Sequence, residues 1–218
     1  MLFIATPLYE NKVSTEYLDG LMKVTNMLNA NGMALEYAFE RSTLIAVNRE
    51  KLVRRFLKTD CQFFMFIDSD IAFKPLDVFS LLSTNVDVVS GLYRYRTEVP
   101  PGVCNHCFHD TNGVQIDIDN CAEVQECGFV PTGMLLVKRH VFERLYRTHK
   151  FIFNQGFKDE PAFDIALSKG AKDSECEVFP FFEAEDIHFS KLWRETGGKL
   201  YVKTSVRVDH IGEKCWKI

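Results

Sequence analysis

Phe63-Phe64-Met65-Phe66-Ile67-Asp68-Ser69-Asp70 is the stretch on which the reading of this chain turns. Its five consecutive apolar residues are too short to cross a membrane, and they match a buried, parallel strand. Two carboxylates separated by one small residue follow at once. In an open α/β sheet, ligands bind beyond the carboxyl ends of the strands, which is where this pair falls. Two carboxylates held close together repel each other unless a cation, a shared proton or wide solvation intervenes. The stretch therefore predicts either a solvated acidic turn or a divalent-metal site that holds a phosphate-bearing ligand.

Working outward, the flanking segments alternate. Leu2-Phe3-Ile4-Ala5 predicts a first strand that stops at Thr6-Pro7-Leu8-Tyr9, since proline biases the residue before it toward extended geometry. Ser14 or Thr15 is placed to cap a helix whose apolar residues Tyr17, Leu18, Leu21, Met22 and Leu28 recur at three and four, and Asn31-Gly32 ends it. Met33 to Phe39 reads as a second strand. A second helix is expected from Arg41-Ser42 to Lys58, with Leu44, Ile45, Val47, Leu52, Val53 and Phe56 facing the sheet. That stripe leaves Asn48, Arg49, Arg54 and Arg55 for the remaining, solvated face. Pro75 suits the first turn of a third helix, and Val86 to Gly91 forms a fourth strand.

Strand and helix alternating over about 90 residues predict a doubly wound α/β half with a parallel sheet. Right-handed crossovers then bring the loops at Thr6–Tyr9, Asp68–Asp70 and Gly91–Arg96 to one crevice. Beyond it, Glu98 to Cys127 is irregular, apart from an alternating run at Val114–Ile118. Phe129–Val137 reads as a bent strand and Arg139–Thr148 as a helix. A polar stretch to Pro180 holds one short helix near Phe163–Leu167. Glu185 and Asp186 open a last helix, Leu200-Tyr201-Val202 is a strand, and Val208–Gly212 a terminal turn.

Composition narrows the function classes. Of 218 residues, 46% are hydrophobic and 26% charged, ordinary for one globular core, and the 19 phenylalanines fall mostly in strand-like runs. A net charge of −4 with dispersed Lys and Arg argues against nucleic-acid binding. No run of about 18 apolar residues and no leader pattern occurs, so a cytoplasmic protein without a membrane span is expected. Seven cysteines, an odd number at irregular spacing, suit a reducing compartment. Cys104, His106, Cys107, His109, Cys121 and Cys127 have the chemistry to bind zinc. The Cys121–Cys127 spacing fits such a site poorly, and a thiol cluster in an insertion is the simpler expectation. The chain stops at Trp216-Lys217-Ile218 without a tail, as one domain of a longer polypeptide would.

In order and approximate spacing, Ile4–Pro7, Asn48-Arg49, Phe66–Ile71, Gly91-Leu92-Tyr93, Thr132-Gly133, Glu185-Asp186 and His210-Ile211-Gly212 resemble the glycosyltransferases of the GT-A fold. Small members encoded by large DNA viruses of algae are especially similar. The resemblance implies a single domain, a Rossmann-like doubly wound mixed sheet with helices on both faces. Residues 1–97 would form its nucleotide-binding half and 98–218 its donor-sugar and acceptor half. It implies a UDP-sugar donor, a glycan acceptor and, for a virus-encoded member, the host cytoplasm.

Asp68, Asp70 and His210 then correspond to the family's metal ligands, and an imidazole among oxygens favours Mn2+, with Mg2+ as the alternative. Thr6, Pro7 and Tyr9 would line the base pocket, and Ser69 would lie at the donor. Arg49 would approach the diphosphate or base, Thr132 would bond a sugar hydroxyl, and Gly133 would let a sugar approach the backbone. Asp186 corresponds to the catalytic base of inverting members and Glu185 to a residue holding a sugar hydroxyl. A haloacid-dehalogenase-type phosphatase, a sugar-nucleotide-forming nucleotidyltransferase and a non-catalytic carbohydrate-binding protein are the competing readings. The first two lack, respectively, a partner lysine and a glycine-rich phosphate loop here.

Overall fold

The computed structural model describes residues 1–8, 11–94, 108–112, 114–153, 184–212 and 215–216. Tyr9, Cys104, His106, Cys107 and the expected helix near Phe163–Leu167 lie outside the described residues.

Strand β1 (Leu2–Leu8), helix α1 (Thr15–Ala30), strand β2 (Leu35–Arg41), helix α2 (Ile45–Phe56) and strand β3 (Phe63–Ile67) open the chain. Then come β4 (Ile71–Ala72), α3 (Pro75–Ser83), β5 (Val88–Leu92), β6 (Val124–Cys127), β7 (Met134–Lys138) and α4 (Arg139–Leu145). Helix α5 (Glu185–Glu195) and strands β8 (Leu200–Arg207), β9 (Asp209–Ile211) and β10 (Cys215–Trp216) close it.

The main sheet has seven strands in the order β2-β1-β3-β7-β5-β8-β6, and a three-stranded ribbon has the order β10-β9-β4. Strands β1, β2 and β3 run parallel, as the alternation requires. The fourth expected strand, β5, does not pair with β3. Strand β7 lies between them and is antiparallel to both, which makes the sheet mixed. Its residues Met134–Val137 are buried, as an inner strand requires, but nothing local in them names their neighbours.

Side-chain alternation on the strands divides the core in two. Phe3, Ala5, Phe64, Phe66 and Val88 pack under α2, α4 and α5, whereas Leu2, Ile4, Met65, Ile67 and Val89 pack under α1 and α3. Helices therefore cover both faces, the single-domain GT-A-like architecture that the resemblance implies. Most of the described phenylalanines are core, although Phe39 is exposed: Phe64 meets Phe56 and Phe142 at centroid distances of 5.1 Å. Each such burial contributes about 1.5–3 kcal/mol.

Local signals set both ends of α1 and the start of α3. The Ser14 hydroxyl accepts the Tyr17 amide at 3.0 Å and caps α1, Gly32 takes φ +68° just beyond it, and Pro75 opens α3. Several expectations need correcting. Strand β1 continues through Pro7 to Leu8, because beyond Ala5 only its β2 side is paired, an edge at which proline is tolerated. Leu18, Met22, Leu44 and Ile45 are exposed; Gly20 and Val24 face the core of α1 instead. Val114–Ile118 forms no strand, only a bridge from Gln115 to His109. The bent strand at Phe129 begins only at Met134, and the terminal turn at Val208 becomes β9.

Strand β8 runs parallel to β5. The carboxyl ends of β1, β3, β5 and β8 and the beginning of β7 thus share one end of the sheet. The loops that carry the candidate residues meet there.

Candidate active site

The Asp68–Asp70 turn is fixed from three directions. The Asp68 amide donates to the Gly133 carbonyl at 2.9 Å, the Ser14 amide to the Ser69 carbonyl at 2.8 Å, and the Ile211 amide to the Asp70 carbonyl at 2.7 Å. The last bond belongs to the β4–β9 pairing, in which His210 stands opposite Ile71. His210 Nε2 is consequently 3.6 Å from Asp70 Oδ1. His210 Nδ1 lies 3.0 Å from the Arg94 carbonyl, which can only accept, so Nδ1 carries a proton. In the neutral ring, Nε2 then turns a lone pair toward Asp70, as a metal-binding imidazole does.

Asp68 is engaged on the opposite side. Arg49, with 2% of its side chain exposed, donates from Nη2 to Asp68 Oδ2 at 3.0 Å and from Nε to Glu185 Oε1 at 3.2 Å. Its Nη1 lies 3.0 Å from Asp68 Oδ1 as an ion-pair contact without hydrogen-bond alignment. The guanidinium also lies 4.8 Å over the Phe66 ring. Burial opposes its charge, but Asp68 and Glu185 more than compensate and hold Arg49 above its ordinary pKa.

Of the residues expected on the solvated face of α2, Arg54 and Arg55 are exposed, but Asn48 and Arg49 are buried, as is their neighbour Glu50. Asn48 Nδ2 donates to the Leu8 carbonyl at 3.0 Å and the Ser42 carbonyl at 3.3 Å. Glu50 accepts from the Tyr146 hydroxyl at 2.5 Å and from the amides of Ile152 and Phe153 at 3.0 and 3.2 Å. Burial, and then the Glu50 carboxylate, raise the Tyr146 pKa. A signal for Arg49 was available. It precedes Leu52 by three and Phe56 by seven, positions on the same helical face.

Asp186 sits in the first turn of α5 and accepts the Ile187 amide at 2.8 Å. Burial, reinforced by the Glu185 carboxylate, pushes its pKa up to about 6.

The remaining candidates are placed as follows. Thr6 is buried, and its hydroxyl hydrogen-bonds that of Tyr17, whose pKa burial raises to about 12. Pro7 lies within β1. Thr132 is 2% exposed. Gly133 does permit a close approach, but the approaching group is Tyr93. A Cβ at residue 133 would lie 2.8 Å from the Tyr93 ring. Tyr93 accepts the Gly133 amide at 3.1 Å and meets the His210 ring edge-on at 5.4 Å. Tyr93 is the residue that sequence reasoning left without a role, although Gly91-Leu92-Tyr93 stands at the end of a strand.

Among the described residues, no group of three or more His, Cys, Asp and Glu side chains stands ready to hold a metal ion. The available donors are one carboxylate and one imidazole, at Asp70 and His210. Beside them, Asp68 Oδ1 is buried without a hydrogen bond. That donor set suits an octahedral divalent ion, which takes few protein ligands and fills its shell with water and substrate phosphates. For zinc, Cys121 is a half-buried free thiol, Cys127 is buried in the core and the His109 ring stacks on Phe129 at 5.0 Å.

No protein-family model and no curated protein sequence matches this chain. Among solved structures, the crystal structure of A197 from STIV is similar, with a TM-score of 0.61 and 16% identity over 99% of this chain and 93% of that one. A glycosyltransferase involved in glycosylation of the major capsid of PBCV-1 matches with a TM-score of 0.36 and 13% identity, over 66% of this chain and 62% of that one. Among the described residues no helix is long and apolar enough to cross a membrane. The likeness to A197 extends over nearly the whole of both chains, and what it establishes is a shared fold.

Proposed function

We propose that this chain is a glycosyltransferase that moves a sugar from a UDP-sugar to a carbohydrate hydroxyl with the help of a divalent metal, Mn2+ in preference to Mg2+. The observation that carries the reading is the Asp70–His210 pair, clamped across β4 and β9 at the ligand-binding end of the sheet. Asp70 and His210 would hold the ion. When bound, it would supply positive charge against the diphosphate that leaves. UDP and the donor sugar follow from the resemblance to GT-A enzymes and not from a residue pattern.

The chain's own residues have separable tasks in an inverting reaction. Asp186, poised near neutrality, takes the proton of the acceptor hydroxyl as its oxygen bonds to the anomeric carbon and the bond to the UDP oxygen breaks. Glu185 holds Asp186 high by its charge. Arg49 braces the Asp68 carboxylate, while three backbone hydrogen bonds fix the turn that carries Asp70. The same bracing disfavours the phosphatase reading: a nucleophilic aspartate needs an oxygen free to attack, and both oxygens of Asp68 face Arg49 at 3.0 Å.

Calorimetric titration of UDP with Mn2+, without it, and into Asp70→Ala is the test. Affinity that requires both the ion and Asp70 supports the reading, and a panel of UDP-sugars then identifies the donor. UDP binding that ignores both, or no binding at all, removes it.

A further inference from the structure

The resemblance assigns Arg49 to the nucleotide, but its surroundings describe a different task. The side chain is 2% exposed and closed off by Asp68, Glu185 and the Phe66 ring. Asp68 belongs to the turn that follows β3, and Glu185 is the first residue of α5. Those two segments are 117 positions apart in the chain (185 − 68), and one buried cation holds their carboxylates together. Asp186, the candidate base, is the next residue of that same helical turn.

We infer that Arg49 is a positioning residue that straps the first turn of α5 to the Asp68 turn, setting where Asp186 stands relative to the donor site, and touches no ligand itself. The inference rests on the function proposed above as far as donor and base are concerned.

The rest of α5 is held by other means. Phe189 stacks on Phe153 at 5.1 Å, and the Ser190 hydroxyl accepts the Val130 amide at 3.2 Å. Those contacts fix the second turn. The Arg49–Glu185 contact joins the first turn to the Asp68 turn. On the other flank, α2 is itself immobilised next door, by Asn48 on the Leu8 and Ser42 carbonyls and by Glu50 on the Ile152 and Phe153 amides. Arg49 therefore projects from a rigid base, as a strap must.

Lysine cannot substitute. An ammonium is a point charge without the planar fork that reaches two carboxylates at once. Loss of the strap leaves Asp68 and Glu185 as facing carboxylates, and a shift of about 1 Å at a reacting group is enough to cost about 100-fold in rate.

The test uses Arg49→Lys, Arg49→Met and Glu185→Gln in the full chain. Binding of UDP with Mn2+ is compared with the rate of UDP release from whichever UDP-sugar the wild type consumes. Arg49→Lys is expected to bind UDP within about threefold of wild type while turnover falls about 100-fold. Without any ligand, hydrogen exchange at the His188 amide, bonded to the Ala184 carbonyl at 3.0 Å, and at the Phe189 amide should quicken about tenfold, with Leu192–Glu195 unchanged.

If Arg49→Met does not fold, Glu185→Gln removes one anchor of the strap and should give the same split at about tenfold. UDP affinity that falls in step with turnover makes Arg49 a ligand contact and overturns the inference, as does unchanged exchange at His188 and Phe189. A wild type that binds no UDP with Mn2+ removes the function reading alone. The exchange measurement then decides the strap by itself.

Discussion

Asp68 and Asp70 leave the same strand two residues apart, yet they face opposite sides of the site and meet different chemistry. On one side Asp68 meets a buried guanidinium, with Glu185 as third partner. On the other, Asp70 meets the imidazole of His210, which is 18% exposed where the Arg49 side chain is 2% exposed. The Arg49 side is neutralised from within the protein and behaves as scaffold. The His210 side offers an oxygen and a nitrogen that suit a cation from outside. A paired acidic motif is thus not one device. The neighbours that tertiary structure supplies give each carboxylate its role.

Several measurements would break or sharpen that contrast. The largest effect is expected on the scaffold side. Glu50→Ala strands the Tyr146 hydroxyl and the Ile152 and Phe153 amides, so denaturant unfolding should show a loss of about 3 kcal/mol. A loss below about 0.5 kcal/mol would mean that α2 is no rigid base for Arg49.

On the other side, Asp70→Ala should cost about 100-fold in Mn2+-dependent UDP affinity, about 2.7 kcal/mol, with little change in unfolding midpoint. Equal losses of affinity and stability would erase the distinction between the two carboxylates. Gly133→Ala should cost about 1–2 kcal/mol, because the new methyl must displace the Tyr93 ring that rests against His210. Its loss of UDP affinity should be smaller than that of Asp70→Ala.

The smallest effect is one of pH. Asp186 titrates at about 6 in the folded protein, above the ordinary carboxylate range. Its contribution to stability therefore declines as pH rises from about 4 through about 6. The deprotonated form that base catalysis needs is gained over the same window. Turnover should fall about tenfold per pH unit below about 6, and Glu185→Gln should move that limb to lower pH, since the Glu185 charge helps to raise Asp186. A limb that stays in place would exclude Asp186 as the base.

Much of the frame was legible. Strand β3 ends where its apolar run ends, Ser14 and Pro75 mark helix starts by the bonds they make or cannot make, and Gly32 closes α1 by its positive φ. The site was legible only in part. Arg49 was misplaced because arginine in an amphipathic helix is ordinarily solvated, and only its register with Leu52 and Phe56 said otherwise. The motif implies that Thr132 and Gly133 face a sugar, whereas the structure gives Gly133 to the Tyr93 ring.

The sequence by itself determined what depends on neighbours along the chain: the period of each element, its caps, the alternation that makes an α/β sheet, and the acidic turn at a strand's end. Tertiary structure alone decided what depends on partners far apart in the chain. It inserted β7 between β3 and β5, laid β9 on β4 so that His210 came beside Asp70, and buried Arg49 between Asp68 and Glu185. Local propensity acts over a few residues, whereas pairing and burial are settled by the free energy of the whole packed core. No window of sequence contains that quantity.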